Sequence, residues 1–370
     1  TADGDLDASL NEDGIGLTDF DGRTDIAEAI ALDEFNRIIV AGSVDRGDGF
    51  AFGVARYLSD GTLDVSFGDQ GLVTQMIGIT GFCKSIAIQK DNKIVLGGYA
   101  LNPVSQTNEF VVMRFNTNGT PDSTFSDDGI VMTNMGVGAG VANAILIQPD
   151  DKILLAGQVL NGATLRWEIA IARYNPDGLP DETWDEDGVA FTGSQDADFT
   201  IKAVALQEDR KIIVGGFFGT APSNNLFAVV RYHPGGRLDE TFGDEGIILD
   251  SYGAQDNQVN EIVIQPDGQI LIAGTSLQGN RDLFAIARLD TDGSFDDTFG
   301  EGGVVTPAID QNDGINSMAL QQDGKLIVAG ESFNGQRFSI VAARIETGLT
   351  TSADDPFKAD IKASVFPNPV

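Results

Sequence analysis

The chain has 370 residues, 42% of them hydrophobic, with a formal charge of −33 and a pI near 4.1. This excess of acid argues against nucleic acid as a partner and disfavours an anionic membrane surface, because phosphate binding needs clustered Lys and Arg. No apolar run approaches the ~20 residues of a membrane helix, so we expect a soluble chain with no membrane insertion, numbered from a processed or engineered end at Thr1.

Two phrases recur along the chain with a period of about 58 residues. The first is "AIALDEFNRIIVAG", which ends at Gly42 and returns as far as "MALQQDGKLIVAG" at Gly330. The second is "RYLSDGTLDVSFGDQG" from Arg56, which returns from Arg114, Arg173, Arg231 and Arg288. Self-similarity at a fixed period indicates a repeat architecture.

Each repeat holds four apolar runs of 4–8 residues rich in Ile, Val and Phe and bounded by Gly, Asp and Asn, which predicts four strands. Since one such unit cannot bury both faces alone, copies must stack. The sequence therefore predicts an all-β fold, a six-bladed β-propeller of four-stranded blades over residues 1–345.

The two ends of the repeat region suggest how the propeller closes. At Arg344 the second phrase begins but stops at "RIETG", and the opening "DGDLDASLNEDGIGLT" supplies the missing part. We therefore expect the N-terminal run Ile15–Thr18 to be the outer strand that completes the last blade, beside residues 315–345.

The acidic turns, such as "RYNPDGLPDETWDEDG" at 173–188, resemble calcium loops at first glance. An EF-hand is excluded, because with Gly178 sixth in the loop the first position is Arg173 and the twelfth is Trp184. A structural turn is favoured instead, with Gly178 at positive φ, Asp181 capping backbone amides and Trp184 anchored in apolar surface. Another kind of divalent-ion site, with calcium as the ion, stays open as the alternative, and no other cofactor is expected.

The stretch "IQPDGQILIAG" followed by "FAIARLDTDGSFDDTFGEGG" resembles the delta-sixty repeat of secreted bacterial proteins, and is similar to six-bladed NHL-type propellers. The resemblance implies a β-propeller and carries no shared catalytic residues. After a polar linker at 346–364, "VFPNPV" at 365–370 resembles the start of the C-terminal sorting domain of type IX secretion cargo in Bacteroidota. That resemblance implies the type IX translocon and attachment machinery as partners, an extracellular or outer-surface location, and a secretion signal formed by Val365, Phe366, Pro367, Asn368 and Pro369.

Candidate catalytic groups are scarce. The single histidine, His233, lies in the turn "RYHPGG" with no orienting partner in view, and is interpreted as a solvated turn residue. The single cysteine, Cys83, aligns with apolar residues in every other copy and is interpreted as a core residue. We therefore expect no catalytic residues and no enzyme, while a glycan-active enzyme that uses carboxylates remains the alternative.

Binding candidates lie where the copies differ. One slot ahead of each predicted inner strand is always polar and would ring a channel mouth if those strands line the axis; its residues are Glu28, Lys84, Asn143, Lys202, Asn260 and Asn316. Four further candidates in or near the variable loops could stack on a sugar or simply pack: Arg166, Trp167, Phe217 and Tyr252. The sequence thus predicts a non-enzymatic surface propeller that binds glycan or protein through its variable face, with a passive structural cargo as the further alternative.

Overall fold

The computed structural model describes residues 7–136, 138–220, 224–252, 256–307, 309–348 and 362–366. The chain folds into two compact units, residues 1–192 and 193–370. Each unit holds three four-stranded antiparallel sheets, which we call blades 1 to 6 in chain order. No helix within the described ranges is long and apolar enough to cross a membrane.

The first unit contains blades 1 to 3. Blade 1 consists of β1 (Asp25–Leu32), β2 (Ile38–Asp45), β3 (Phe50–Tyr57) and β4 (Leu72–Gln75). Blade 2 consists of β5 (Gly81–Ile88), β6 (Ile94–Leu101), β7 (Asn108–Phe115) and β8 (Ile130–Thr133). Blade 3 consists of β9 (Gly140–Ile147), β10 (Ile153–Asn161), β11 (Arg166–Tyr174) and β12 (Val189–Thr192).

The second unit contains blades 4 to 6. Blade 4 consists of β13 (Asp198–Leu206), β14 (Ile212–Gly219), β15 (Leu226–Tyr232) and β16 (Ile247–Asp250). Blade 5 consists of β17 (Asp256–Ile264), β18 (Ile270–Gln278), β19 (Arg281–Leu289) and β20 (Val304–Val305). Blade 6 consists of β21 (Asn312–Leu320), β22 (Leu326–Phe333), β23 (Phe338–Ile345) and β24 (Lys362–Phe366).

The six predicted four-stranded blades are confirmed, and neighbouring blades within a unit share apolar cores. Between blades 1 and 2, Ile39 and Val54 pack with Leu96 and Met113. Cys83 belongs to the same cluster and is fully buried, and this burial raises the pKa of its thiol to about 12. The interpretation of Cys83 as a core residue is therefore confirmed.

The prediction about the closing strand is wrong. The fourth strand of blade 6 is β24, which runs antiparallel to β23 with Ile340 opposite Phe366 and Arg344 opposite Lys362. Residues 15–18 form no strand. The physical reason is that the outer edge of β23 offers backbone groups that any extended segment can pair with, and the C-terminal segment takes that edge.

The N-terminal segment instead lies on blade 1 and copies contacts that each blade makes with the next. Asn11 N donates to Asp60 O at 2.6 Å, as Gly68 N donates to Asn118 O at 2.9 Å between blades 1 and 2. The hydroxyls of Thr18 and Tyr57 are 2.5 Å apart, and a matching pair joins blades 2 and 3. The alignment of the opening stretch with the repeat is thus correct, although its strand pairing is not.

The C-terminal boundaries stay predictions. β24 begins inside the stretch predicted as a linker and ends at Phe366, inside the predicted secretion signal. Residues 349–361 lie outside the described residues, and so do Pro367, Asn368 and Pro369.

A β-bulge interrupts the first strand of every blade at the same place. In blade 4 the register with β14 shifts between Ile201 and Ala203, so Lys202 is the extra residue. The residue opposite is Gly216, and a Cβ built there would lie 1.8 Å from Thr200 O. The corresponding glycines of the other blades are equally crowded, at 1.9–2.1 Å from a backbone oxygen: Gly42, Gly98, Gly157, Gly274 and Gly330.

We expect Gly216→Ala to lower the free energy of unfolding by about 2–4 kcal/mol, because its methyl group would collide with a strand backbone. The matched control is Gly235→Ala, since a Cβ at Gly235 has no atom within 4 Å and its effect should stay within about 0.5 kcal/mol. Urea unfolding of both variants measures the difference. Equal stability of the two variants would show that the bulge does not require glycine.

Candidate functional site

The acidic turns are structural clamps centred on a buried arginine. In blade 2, Arg114 Nε donates to Asp122 Oδ2 at 2.7 Å, and the guanidinium lies 4.6 Å from the ring centroid of Phe125. Thr124 donates to Asp122 Oδ1 from its backbone N at 3.0 Å and from its hydroxyl at 2.7 Å. The predicted aspartate turn is therefore confirmed, and the repeated arginine pairs with the aspartate of its own blade.

The same arginine also reaches the following blade. Arg114 Nη1 donates to Pro176 O at 2.6 Å, in the turn of blade 3. Arg231 of blade 4 likewise donates to Thr291 O of blade 5, and Arg288 of blade 5 to Thr347 O, which follows the third strand of blade 6. A single side chain thus ties its turn to the next one within each unit.

The clamp sets the pKa of its aspartate. Burial alone would raise the pKa of Asp122, but hydrogen bonds from Thr124 and Lys93 and the nearby Arg114 outweigh it and lower the pKa to about 2. The same balance lowers the pKa of Asp181 and of Asp239. These carboxylates are already saturated with donors, and no group of three or more His, Cys, Asp or Glu in the described ranges is placed to hold a metal ion.

His233 lies beside one clamp and is half exposed. Its Nε2 is 3.5 Å from Oδ1 of Asp239, with 48% of its side chain accessible. The exposure agrees with the interpretation of His233 as a solvated turn residue, while Asp239 is a neighbouring carboxylate that the sequence did not reveal.

The six predicted inner-strand residues are the six extra residues of the β-bulges. In the first unit, Lys84 Nζ lies 2.5 Å from Glu28 Oε1, which joins the bulges of blades 1 and 2. Asn143 Nδ2 donates to Gln158 Oε1 at 3.2 Å on the neighbouring strand. Glu28 also lines a mostly apolar cleft of about 620 Å³ between the N-terminal segment and blade 1, beside Leu17 and Val40.

In the second unit the bulge residues are Lys202, Asn260 and Asn316. Asn260 Nδ2 donates to Ile315 O at 2.7 Å, so the bulge of blade 5 contacts the first strand of blade 6. We call Lys202, Asn260, Asn316, Glu261 and Ser317 the second-unit polar set.

Glu261 is the site residue that the sequence prediction missed. It directly follows the bulge, where the other blades have only small residues: Ala29, Ser85, Ala144, Ala203 and Ser317. Ser317 Oγ donates to Glu261 Oε2 at 3.4 Å, and burial raises the pKa of Glu261 to about 7. A comparison of this slot across the six copies could have revealed it.

Two of the four loop candidates lie in each unit. Tyr252 stacks on Phe227 with ring centroids 4.3 Å apart and meets Phe295 edge-on at 6.0 Å, so it is a packing residue. Phe217 is the cross-strand partner of Phe227. Arg166 and Trp167 begin β11, opposite Asn161 and Leu160.

A family model matches the chain in six segments that cover more than half of it, at residues 36–67, 89–125, 148–183, 207–242, 265–299 and 321–342. The chain belongs to the family described as "Domain of unknown function (DUF5122) beta-propeller". The six segments of this DUF5122 propeller fall one in each blade, and the fold prediction of a six-bladed β-propeller is confirmed. No curated protein matches the sequence.

Solved structures with a similar fold include several enzymes. The polysaccharide lyase Uly1 is 11% identical with a TM-score of 0.42, covering 91% of this chain and 88% of its own. The mannose phosphorylase MPT-4 from Leishmania mexicana is 11% identical with a TM-score of 0.34, and the match covers 82% of this chain and 78% of the phosphorylase. An exo-1,5-alpha-L-arabinanase from a bovine ruminal metagenomic library is 11% identical with a TM-score of 0.33, and the match covers 95% of this chain and 100% of the arabinanase.

These similarities concern the fold alone. The prediction that the DUF5122 propeller is not an enzyme is nevertheless withdrawn, because it rested only on the lack of a His or Cys constellation. The scarcity of such residues does not exclude catalysis.

We expect Asp122→Asn to lower the free energy of unfolding by about 2–4 kcal/mol at pH 7, because a buried arginine loses its counter-charge. Since the folded pKa is depressed, this contribution is present above the unfolded value of 3.8 and is lost as pH falls through about 2. Urea unfolding at pH 7 and pH 2.5 should therefore show a large difference from the parent chain that shrinks in acid. Exposed Asp150→Asn is the control, and a difference that stays constant with pH would contradict the clamp.

Proposed function

We propose that the DUF5122 propeller is a binding protein that takes a hydroxylated ligand, a glycan, at the polar residues of its bulges. The observation that carries this proposal is the constancy of the bulge position. Its residue is Glu, Lys or Asn in all six blades, whereas the residues before it are apolar: Ala27, Cys83, Ala142, Ile201, Val259 and Ile315. A bulge fixed by its opposite glycine holds that side chain in place while leaving its identity free to vary.

The second-unit polar set suits such a ligand best. Its amides, hydroxyl, ammonium and carboxyl groups can all hydrogen bond to sugar hydroxyls. Asn316 and Lys202 are exposed, and Asn260 and Glu261 are partly buried. Ligand sites combine a few placed polar groups with a rigid scaffold in this way.

The test is a glycan array probed with the purified chain, with Asn316→Ala and with Asn260→Ala. We expect the parent chain to bind at least one class of glycan, and each variant to weaken binding about fivefold or more by removing hydrogen bonds to the ligand. Exposed Glu208→Ala, in the β13–β14 hairpin turn, should bind like the parent. An array without signal, or variants that bind as well as the parent, would refute a glycan site here.

Glu261 also favours a second candidate function, a carboxylate-dependent glycan-active enzyme. A carboxyl group with a pKa near 7 is suited to general acid–base work at neutral pH. Incubating the glycans that bind with the chain and analysing them for shortened oligosaccharides separates the two functions. Products formed by the parent chain but not by Glu261→Gln would assign catalysis to Glu261.

We further propose that the protein is exported by a type IX secretion system and works outside the cell. Support comes from the resemblance of "VFPNPV" to the start of a sorting domain, and from the resemblance of the repeat to secreted bacterial proteins. A charge of −33 suits solubility outside the cell.

In the organism that encodes the chain, protease added to intact cells, together with assay of the medium, should find the protein outside. Loss of the translocon should leave it protected inside the cell envelope. A protein that stays inside cells with a working translocon would contradict export.

A further inference from the structure

Glu261 breaks the pattern of the repeat at a slot where the other five blades have Ala or Ser. Its cross-strand partner is Ala273, which packs in the core between blades 5 and 6. The slot therefore opens onto the blade interface, where a long acidic side chain is partly withdrawn from water. A residue that departs from the local rule without a structural gain is a candidate for function.

The carboxyl group of Glu261 has two hydrogen-bond partners and no ion-pair partner among the described residues. The hydroxyl of Ser317 donates to Oε2 of Glu261 at 3.4 Å, and the backbone N of Ile262 donates to Oε1 at 3.4 Å. Both distances are at the long end for hydrogen bonds, so the carboxyl group keeps accepting capacity. Among the described residues it forms no ion pair.

The strands packed against β17 carry several titratable side chains, and none of them is ion-paired with Glu261. Their titratable side chains are Asp198 and Lys202 on β13, Arg231 and Tyr232 on β15, and Asp313 on β21, with none on β14 or β18. Arg231 is committed to Asp239 at 2.7 Å, and Asp313 accepts from Ser332 at 2.5 Å. Asp256 is the other acid on β17 itself.

We propose that Glu261 is the specificity-determining residue of the glycan site, where its ionised carboxylate accepts hydrogen bonds from the hydroxyls of a neutral saccharide. This inference rests on the proposed function. An anionic sugar is the wrong charge for a lone carboxylate on a chain of net charge −33. A neutral sugar offers hydroxyl donors, and hydrogen bonds to an ionised acceptor are roughly twice as strong as those between neutral groups.

Binding should therefore depend on pH in a defined direction. The pKa of Glu261 is about 7 without ligand, so the carboxyl group is mostly neutral at pH 5.5 and mostly ionised at pH 8.5. The protonated form loses part of its accepting capacity. We expect affinity to rise about tenfold between these two pH values.

The experiment is calorimetric titration of the full chain with cellohexaose, mannohexaose, xylohexaose and the acidic hexagalacturonate at pH 5.5 and 8.5. At least one neutral hexasaccharide should bind about tenfold more tightly at pH 8.5, and hexagalacturonate should bind more weakly than that sugar at pH 8.5. Glu261→Gln should bind equally at both pH values, whereas the exposed control Glu208→Gln should keep the parent's pH dependence. Glu261→Ala, which places the alanine of blade 4 in this slot, is a second variant expected to fold.

The outcomes separate the two proposals. Binding of a neutral hexasaccharide with the same affinity at both pH values, or a pH dependence that survives in Glu261→Gln, would overturn the role of Glu261 while leaving the glycan site standing. Tighter binding of hexagalacturonate than of any neutral sugar at pH 8.5 would also overturn it. If no hexasaccharide binds and the array is blank, the proposed function itself fails.

A measurement without ligand checks the premise. Because the folded pKa of Glu261 is raised, the unfolded chain loses this proton first, and stability should fall as pH rises from 4.5 to 7. Glu261→Gln should therefore melt about 2–4 °C above the parent at pH 8 and at the parent's temperature at pH 4. Equal melting temperatures at both pH values would show that the carboxyl group is not desolvated.

Discussion

A buried arginine at the end of the third strand holds each acidic turn together. The cost of burying a guanidinium is offset only if it is paired and its donors are satisfied. Arg114 meets that requirement with a carboxylate, a carbonyl of the next turn and the face of an aromatic ring. The repeated Asp and the Phe or Trp of the turn thus contact the arginine directly, and the Ser or Thr donates to the aspartate that pairs with it.

This interaction also occupies the oxygens of the aspartates in the acidic turns. Each clamp aspartate accepts from the arginine, from a Ser or Thr two residues on and, in blades 2 to 4, from a lysine of the first hairpin. With its oxygens occupied in this way, the carboxylate has little left to offer a cation. The similarity to a calcium loop arises because both motifs need oxygens placed by a tight turn.

Features that recur in all copies of the repeat could be predicted from the sequence, whereas features that depend on one copy or on the chain ends could not. The turn geometry was predictable, because Gly178 and Asp181 recur with fixed spacing and that spacing has one good local solution. The closing strand was not, because pairing at the edge of β23 uses backbone groups that two segments share, so side-chain patterns do not select between Ile15–Thr18 and Lys362–Phe366. The raised pKa of Glu261 could not be predicted from the sequence either, since it depends on the desolvation of the carboxyl group in the folded chain.

The bulges and the clamps are the two features that recur in the repeat, and they have different structural roles. The clamp fixes one end of the blade through the recurring pair of Arg and Asp. The bulge glycine fixes the position of the bulge residue, whose side chain differs between blades. Glu261 adds a cost to this scheme, since raising a carboxyl pKa from 4.5 to about 7 corresponds to a loss on the order of 3 kcal/mol above pH 7. Alanine or serine at the same slot in five other blades avoids that cost. A repeat that retains such a destabilising acid in one copy, beside polar bulge residues and with no ion pair among the described residues, is better explained by a ligand that uses the acid than by packing.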